Sequence, residues 1–371
     1  MLVLDVETSY GNKSNPFHKH GVLVCVGYHG AGHSGVIKCE GAWLDELNEI
    51  TSHYGTLCGH NLKFDLHWLS RHGFDYRDFS LVDTQTYEYL LTDQQHQWAS
   101  LEELGQLYLS EGKIDIIKEE YWSKGIDTTE IPYDLLADYC LQDCKLTYKI
   151  AQKQIEAIPA QKQMLFKLCM QDYMILSGME ENGLSFDRAR SATLAKKNQK
   201  RAEELTRKLT EGISYRDFNF GSTDQLSVLL YGGTIIENRR IPIGHYKSGA
   251  KKGEVRYKRE PVEHTFPRKY KPIKGTESAK EGYWATGEDV LRKLKAGDIV
   301  DNILEVRKLN KLVGTYYDGL CKKQDEYGWD HDKIYGKFNT AVTATGRLSS
   351  SDPNLQNLAG EAKIIFTSRY D

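Results

Sequence analysis

The chain opens on MLVLDVETS, an apolar run broken at one-residue spacing by two carboxylates, Asp5 and Glu7. A run this rich in Leu and Val reads as a buried strand, and a strand's period of two puts positions 5 and 7 on one face. Two carboxylates on a buried face are costly unless a cation shares them, so this word constrains both the fold around it and its chemistry. Strand and helix patterns then succeed one another. GVLVCVGYHG at 21–30 and GVIKCEG at 35–41 read as glycine-bounded strands of a meander, and AWLDELNEITSHYG from 42 reads as a helix. GTLCGHN is then a strand leading into the apolar-periodic helix LKFDLHWLSRHG. SLVDTQTYEYLLT and PYDLLADYCLQDCKLTYKIAQKQIEAI read as the clearest later helices. The expectation is an α/β domain with a mixed sheet.

Beyond Pro159 the pattern becomes mainly helical, through QKQMLFKLCMQDYMILSGMEENG and the charge-rich RARSATLAKKNQKRAEELTRKLTEG. Residues 238–274 carry 12 Lys and Arg against 3 Asp and Glu, with interleaved Tyr, Phe and His, and read as an extended or loosely structured insertion. Helix resumes at GEDVLRKL and DNILEVRKLNKLVGTYYDGL, before short strand-like pieces and a turn-rich end. Charge divides along the chain: residues 1–150 hold 23 acidic against 11 basic side chains, and residues 151–371 hold 29 against 38. An acidic front suits a site that concentrates cations, and a basic remainder suits a phosphate backbone. Seven cysteines, scattered and never in CxxC spacing, argue against a disulfide framework or a structural zinc site. No apolar run is long enough for a membrane helix and no signal-peptide core is present, so the expectation is a cytoplasmic protein with no membrane partner.

Three carboxylate words occur in order within the first 150 residues. The first is D-x-E at Asp5 and Glu7, both able to reach one metal ion. The second is GHNLKFDLHWL at 59–69, where Asn61 and Asp65 lie four apart at a helix start and so on one face; Asp65 would serve a second metal through water, and Asn61 would position it or the substrate. The third is Tyr139-Cys-Leu-Gln-Asp143, an i, i+4 pair that returns Asp143 to the first metal and offers the Tyr139 hydroxyl to an attacking water. Hard divalent cations, Mg²⁺ or Mn²⁺, prefer carboxylate oxygens, and a pair of them about 3.5 to 4 Å apart activates water and neutralises charge on a phosphodiester.

Taken jointly, LDVET, GHNLKFD, VDTQTYEYLL and YCLQDCKLT resemble the proofreading exonuclease domain of family A DNA polymerases, the DNA polymerase I type and its phage relatives. The resemblance implies a ribonuclease H-like 3′-5′ exonuclease domain at 1–155. Asp5, Glu7 and Asp143 would hold the tighter of two metals, Asp5 and Asp65 the looser, and Tyr139 marks the tyrosine-type branch. It continues through MEENGLSFD at 179–187, FNFGSTDQLSVLLYGG and ATGEDVLRKL, which resemble the thumb side, so 156–330 is expected as a helical thumb-side region holding the basic insertion. TATGRLSSSDPNLQNL at 343–358 resembles the segment where the palm begins, expected here at 331–371. There Arg347 offers a fork of donors to the minor-groove edge of a primer terminus, and Asn354, Gln356 and Asn357 offer amides. Lys311 joins them as an expected nucleic-acid contact.

The family's catalytic palm aspartate and fingers helix would come after this segment, so the expectation is a chain that needs a second polypeptide to add nucleotides, acting on DNA primer-template and single-stranded 3′ ends. The basic insertion fits three readings: contact with the DNA backbone, a flexible solvated loop, or a dock for a processivity factor. Rival functions are a stand-alone exonuclease of this type acting on RNA or single-stranded DNA, and a non-catalytic DNA-binding subunit. If the protein is phage-encoded, its compartment is the bacterial host cytoplasm.

Overall fold

In the computed structural model the described residues are 1–371 except 10, 113–115, 214, 216–217, 250 and 369–371, with the side chains of 12 and 13 also outside the description. The strand reading of the opening word holds: β1 (Leu2–Thr8) is buried along nearly its whole length, which places it in the interior of a sheet. β2 (Leu23–Gly30) and β3 (His33–Lys38) complete the expected meander, succeeded by α1 (Trp43–Thr51), β4 (Thr56–Gly59) and α2 (Lys63–Arg71). β5 (Ser80–Asp83) then feeds directly into α3 (Thr84–Leu91). The sequence SLVDTQTYEYLLT is therefore a strand and a helix rather than one helix, because Asp83 takes an extended conformation and its side chain caps α3 by accepting from Thr86 N–H.

The sheet order is β3-β2-β1-β4-β5. β1 runs antiparallel to β2 but parallel to β4, and β4 parallel to β5, so the sheet is mixed as expected. The β1–β4 pairing spans only Leu2 and Val3 against Leu57 and Cys58, leaving the carboxyl half of β1 open on that side. Helices α4 (Leu101–Leu109) and α5 (Ile116–Glu120) lead to α6 (Tyr133–Ala157), which is 25 residues long and packs on β1 and β2. It stops at Ile158, where the next residue, Pro159, disfavours helical backbone. Leu2, Val3, Leu4, Leu57, Leu66 and Trp68 are all essentially inaccessible to solvent and make the core of this layer, each worth about 1.5–3 kcal/mol of transfer free energy.

The chain divides into two compact units, Met1–Arg188 with Leu320–Asp371, and Ala189–Gly319. The first also holds α7 (Gln163–Asn182) and β6 (Leu184–Ser185). The second starts within α8 (Arg188–Leu209) and continues through α9 (Thr223–Tyr231), β7 (Gly233–His245), β8 (Val255–Phe266), α10 (Glu288–Lys293), α11 (Asp298–Lys311) and a π-helical turn at Leu312–Tyr317. Its core gathers Leu205, Phe218, Phe220, Leu226, Ile303 and Val306. Of the basic insertion, 238–245 and 255–266 are extended, as one of the two expectations had it: β7 and β8 pair antiparallel from Gly233↔Phe266 to His245↔Val255, with one irregularity between Pro242 and Gly244, while 267–274 lie in no helix or strand. Within the first unit, α12 (Asp318–Tyr327), most of which belongs there, precedes β9 (Lys333–Ile334), β10 (Lys337–Asn339) and β11 (Ser349–Ser351). The end of AKIIFTSRYD lies outside the described residues.

Candidate active site

Asp5 and Glu7 project from β1 toward α6. In the β1–β2 register Asp5 faces Gly27 and Glu7 faces Cys25, so these four positions share one surface of the sheet. Gly27 is what lets α6 approach: a Cβ there would lie 2.6 Å from the Cys140 sulfur and 2.9 Å from that of Cys144. Cys140 accordingly donates toward the Asp5 backbone oxygen at 3.5 Å and lies 3.6 Å from Asp5 Oδ2. One donor atom each from Asp5, Glu7 and Cys140 falls within 4.8 Å of the others.

The second word reaches the same place from the other side. Asp65, in the first turn of α2, accepts from Val6 N–H through Oδ1 at 3.0 Å, so the strand residue between the two β1 carboxylates is itself tied to a third. Asp65 is 3% exposed. Burial first, and the negative charge of Asp5 second, push its carboxyl well above the usual carboxylate range, against the pull of the Val6 N–H. The third word sits on α6, where Tyr139 and Asp143 are both buried one turn apart and the Tyr139 ring meets Trp122 edge-on at 6.0 Å. Asp143 is outside the tight three-atom cluster, yet its charge, with those of Asp5 and Asp65, adds to burial in raising the Cys144 thiol to about 11. Asp5 and Glu7 thus share the α6 face of β1, Asp65 is tied to Val6 between them, and Asp143 is carried by α6 itself.

Asn61 departs from expectation. It has a left-handed backbone (φ 59°) before the helix, is exposed, and does not share a helical face with Asp65; α2 begins only at Lys63. Nor does its side chain cap the helix. That role falls to remote groups that sequence spacing does not reveal: Asp83 Oδ2 accepts from Leu62 N–H at 2.8 Å and Tyr173 hydroxyl accepts from Lys63 N–H at 2.8 Å. The Lys63 ammonium pairs with Glu180 at 2.8 Å, where both side chains are almost fully buried, and also donates to the Phe338 carbonyl on β10. These residues fix the start of the helix that carries Asp65.

The carboxylates fit a hard divalent cation. Buried groups of one charge, one of them driven toward protonation by burial and then by its neighbour, are relieved by a positive ion, and oxygen donors suit Mg²⁺ or Mn²⁺. The Cys140 thiol, raised well above its ordinary value by its hydrogen bond with Cys144 and by burial, stays protonated and is a poor ligand for such an ion.

The remaining expected residues lie elsewhere. Lys311 is exposed at the end of α11. Arg347 is exposed in a turn closed by the Thr343 hydroxyl donating to its carbonyl at 2.7 Å. Asn354 spends its side-chain oxygen on the N–H groups of Gln356 and Asn357, both at 3.1 Å, so it shapes the turn while the side chains of Gln356 and Asn357 stay exposed.

A mixed five-stranded sheet with carboxylates on its central strand and on two packed helices defines a nuclease-type α/β domain, and comparison with known proteins makes the class specific. Residues 3–156 match the family model described as 3′-5′ exonuclease, and residues 259–369 match DNA polymerase family A. The chain therefore combines a 3′-5′ exonuclease domain with part of a family A DNA polymerase domain. DNA polymerase I of Synechocystis sp. is 30% identical over 311 residues, covering 80% of this chain and 26% of that protein. DNA polymerase I of Bacillus subtilis is 30% identical over 243 residues, covering 65% of this chain and 23% of that protein. The chain thus spans about a quarter of the length of these relatives. A solved structure described as the POL domain of Pol1 from M. smegmatis in complex with DNA primer-template and dNTP shares the fold at a TM-score of 0.66 and 18% identity, over 98% of this chain and 53% of that one. No helix among the described residues is long and apolar enough to cross a membrane.

Proposed function

We propose that residues 1–155 hydrolyse phosphodiesters from the 3′ end of DNA as the proofreading part of a replicative family A polymerase, with 156–330 and 331–371 as its thumb-side and palm-side portions. The observation that carries this reading is the gathering of Asp5, Glu7 and Asp65 about the Val6 amide, with Asp65 pushed toward protonation first by burial and then by the charge of Asp5. Asp5, Glu7 and Asp143 would hold one divalent ion and Asp5 with Asp65 a second. Bound there, Mg²⁺ or Mn²⁺ supplies neutralisation of the scissile phosphate and a lowered pKa for the attacking water.

The chain's own groups do the rest. Tyr139, held by Trp122, presents its hydroxyl to orient the water, the tyrosine-type arrangement. The Val6 N–H fixes the Asp65 carboxylate in one rotamer, so no reorganisation is needed on substrate binding. Exposed Asn61 contacts the entering strand. On the polymerase side, Arg347 reads the minor-groove edge of the primer terminus through its planar fork, with Lys311, Gln356 and Asn357 contacting nucleic acid and Asn354 holding their turn.

The test is shortening of a 5′-labelled primer-template with a 3′ mismatch, in Mg²⁺ or in EDTA. Asp5→Ala with Glu7→Ala is expected to slow 3′ hydrolysis by at least about 1,000-fold, roughly 4 kcal/mol in the barrier, with an unchanged circular dichroism spectrum. A double variant that degrades DNA at the wild-type rate would sink the site assignment.

A further inference from the structure

The β7–β8 ribbon has two unlike faces. Alternation in the register puts Ile235, Glu237, Arg239 and Ile241 with Lys258, Glu260, Val262 and His264 on one side. At its root that side turns inward, where Ile235 and His264 are buried and His264 packs against Tyr215 at 4.9 Å, while Arg239 and Lys258 farther out are exposed. Its charges are also matched within the ribbon, since Glu237 pairs with Arg239 and His264, both at 2.8 Å, and Lys258 lies 3.4 Å from Glu260.

The opposite face is exposed from root to tip and carries Ile236, Arg240, Tyr257, Arg259 and Glu263. Arg240 and Arg259 are direct cross-strand partners, an arrangement of like charges that destabilises a strand pair. Neither has an acidic partner among the described ion pairs. Arg240 stacks on the Tyr257 ring at 4.5 Å, and the two arginines, with Lys251 and Tyr246 near the tip, border a hollow in which Glu254 is the one acidic lining residue. Glu263 stands four positions from Arg259, toward the root. A two-stranded ribbon is marginally stable in water, and one that crowds unmatched guanidinium groups on its open face is complementary to a polyanion.

We propose that this outer face binds the phosphate backbone of a nucleic acid, with Arg240 and Arg259 forming a cross-strand clamp and Tyr257 holding the Arg240 guanidinium in place for it. The choice of nucleic acid over an acidic protein rests on the DNA-handling role proposed above. Each phosphate neutralised releases counterions and contributes about 0.9 to the slope of log affinity against log salt for duplex DNA.

The experiment is fluorescence anisotropy of the full chain with a labelled primer-template across a salt series in EDTA, where hydrolysis cannot intervene. Arg240→Gln with Arg259→Gln is expected to weaken binding about tenfold at low salt and to lower the slope by about 2, while Arg240→Lys with Arg259→Lys retains the slope. Arg239→Gln, on the inner face and already paired, is expected to change neither. An unchanged affinity and slope in the double Gln variant overturns the proposal and leaves the face for an acidic protein; an equal loss in Arg239→Gln overturns the assignment of the face. Because the assay needs no catalysis, a chain that binds through the ribbon but fails to shorten a single-stranded 3′ end in Mg²⁺ condemns the active-site reading and not this one.

Discussion

The floor of the exonuclease domain and the outer face of the β7–β8 ribbon both gather like charges, and they do so in opposite surroundings. On β1 and α2, Asp65 is 3% exposed and Glu7 7%, with Asp5 half-buried between them. On the ribbon, Arg240 and Arg259 are open to water. Two like charges about 5 Å apart repel by roughly 3 kcal/mol at an effective dielectric near 20 but by under 1 kcal/mol in water. The same motif is therefore expensive in one region and nearly free in the other. A buried cluster that persists at that cost points to a small, dense counter-ion held in fixed geometry, whereas an exposed one points to a large ligand whose own charge spacing does the matching.

The largest effect that could break this comparison concerns how the carboxylates come to be buried. Gly27→Ala places a methyl 2.6 Å from the Cys140 sulfur and 3.3 Å from the Cys140 carbonyl oxygen, so the buried thiols must turn aside or α6 must shift away from the sheet. The expected loss is about 1–3 kcal/mol of stability, read from the urea midpoint. Exonuclease rate is expected to fall by more than tenfold in conditions where the variant is fully folded, since Tyr139 and Asp143 ride on α6. A variant with wild-type stability and rate would show that the floor is looser than the packing implies.

The sequence carried a large part of this region because the relevant signals are local. A strand's two-residue period placed Asp5 with Glu7, and a helix's 3.6-residue period placed Tyr139 with Asp143. Asn61 failed the same reasoning because a helical period was applied across a residue that precedes the helix in left-handed backbone. The groups that fix α2 are 21 and 110 residues away, Asp83 and Tyr173, and no spacing rule reaches them. Gly27 carries no side chain to read, and its role exists only once β2 is laid beside β1. The ribbon was legible as basic but not as two-faced: the sequence shows the charges, and only the register shows that Arg240 lies opposite Arg259 and that Ile235 and His264 share the other face.

Neutralising one member of each cluster sharpens the contrast further, with smaller effects. Asp65→Asn keeps an oxygen for the Val6 N–H and removes the charge. Because the folded-state pKa of Asp65 is raised above its unfolded value, its ionisation costs stability progressively as pH rises from the ordinary carboxylate range through that higher value. The Asn variant, which does not titrate, should thus match the wild type near pH 4 and exceed it by about 1 kcal/mol at pH 8 in EDTA, by urea titration at each pH. Adding Mg²⁺ should raise the wild-type midpoint at pH 8 more than at pH 5, and the variant's less, because the cation and the proton compete for the same carboxylate. Arg240→Gln with Arg259→Gln, by contrast, should shift the urea midpoint by no more than about 0.5 kcal/mol at any of these pH values, since its charges are already solvated. Equal stabilisation by the two substitutions would mean that dielectric does not separate the regions; a destabilised Asp65→Asn in EDTA would mean that the Val6 hydrogen bond to a charged acceptor outweighs the repulsion from Asp5, and that the floor is held together without a counter-ion.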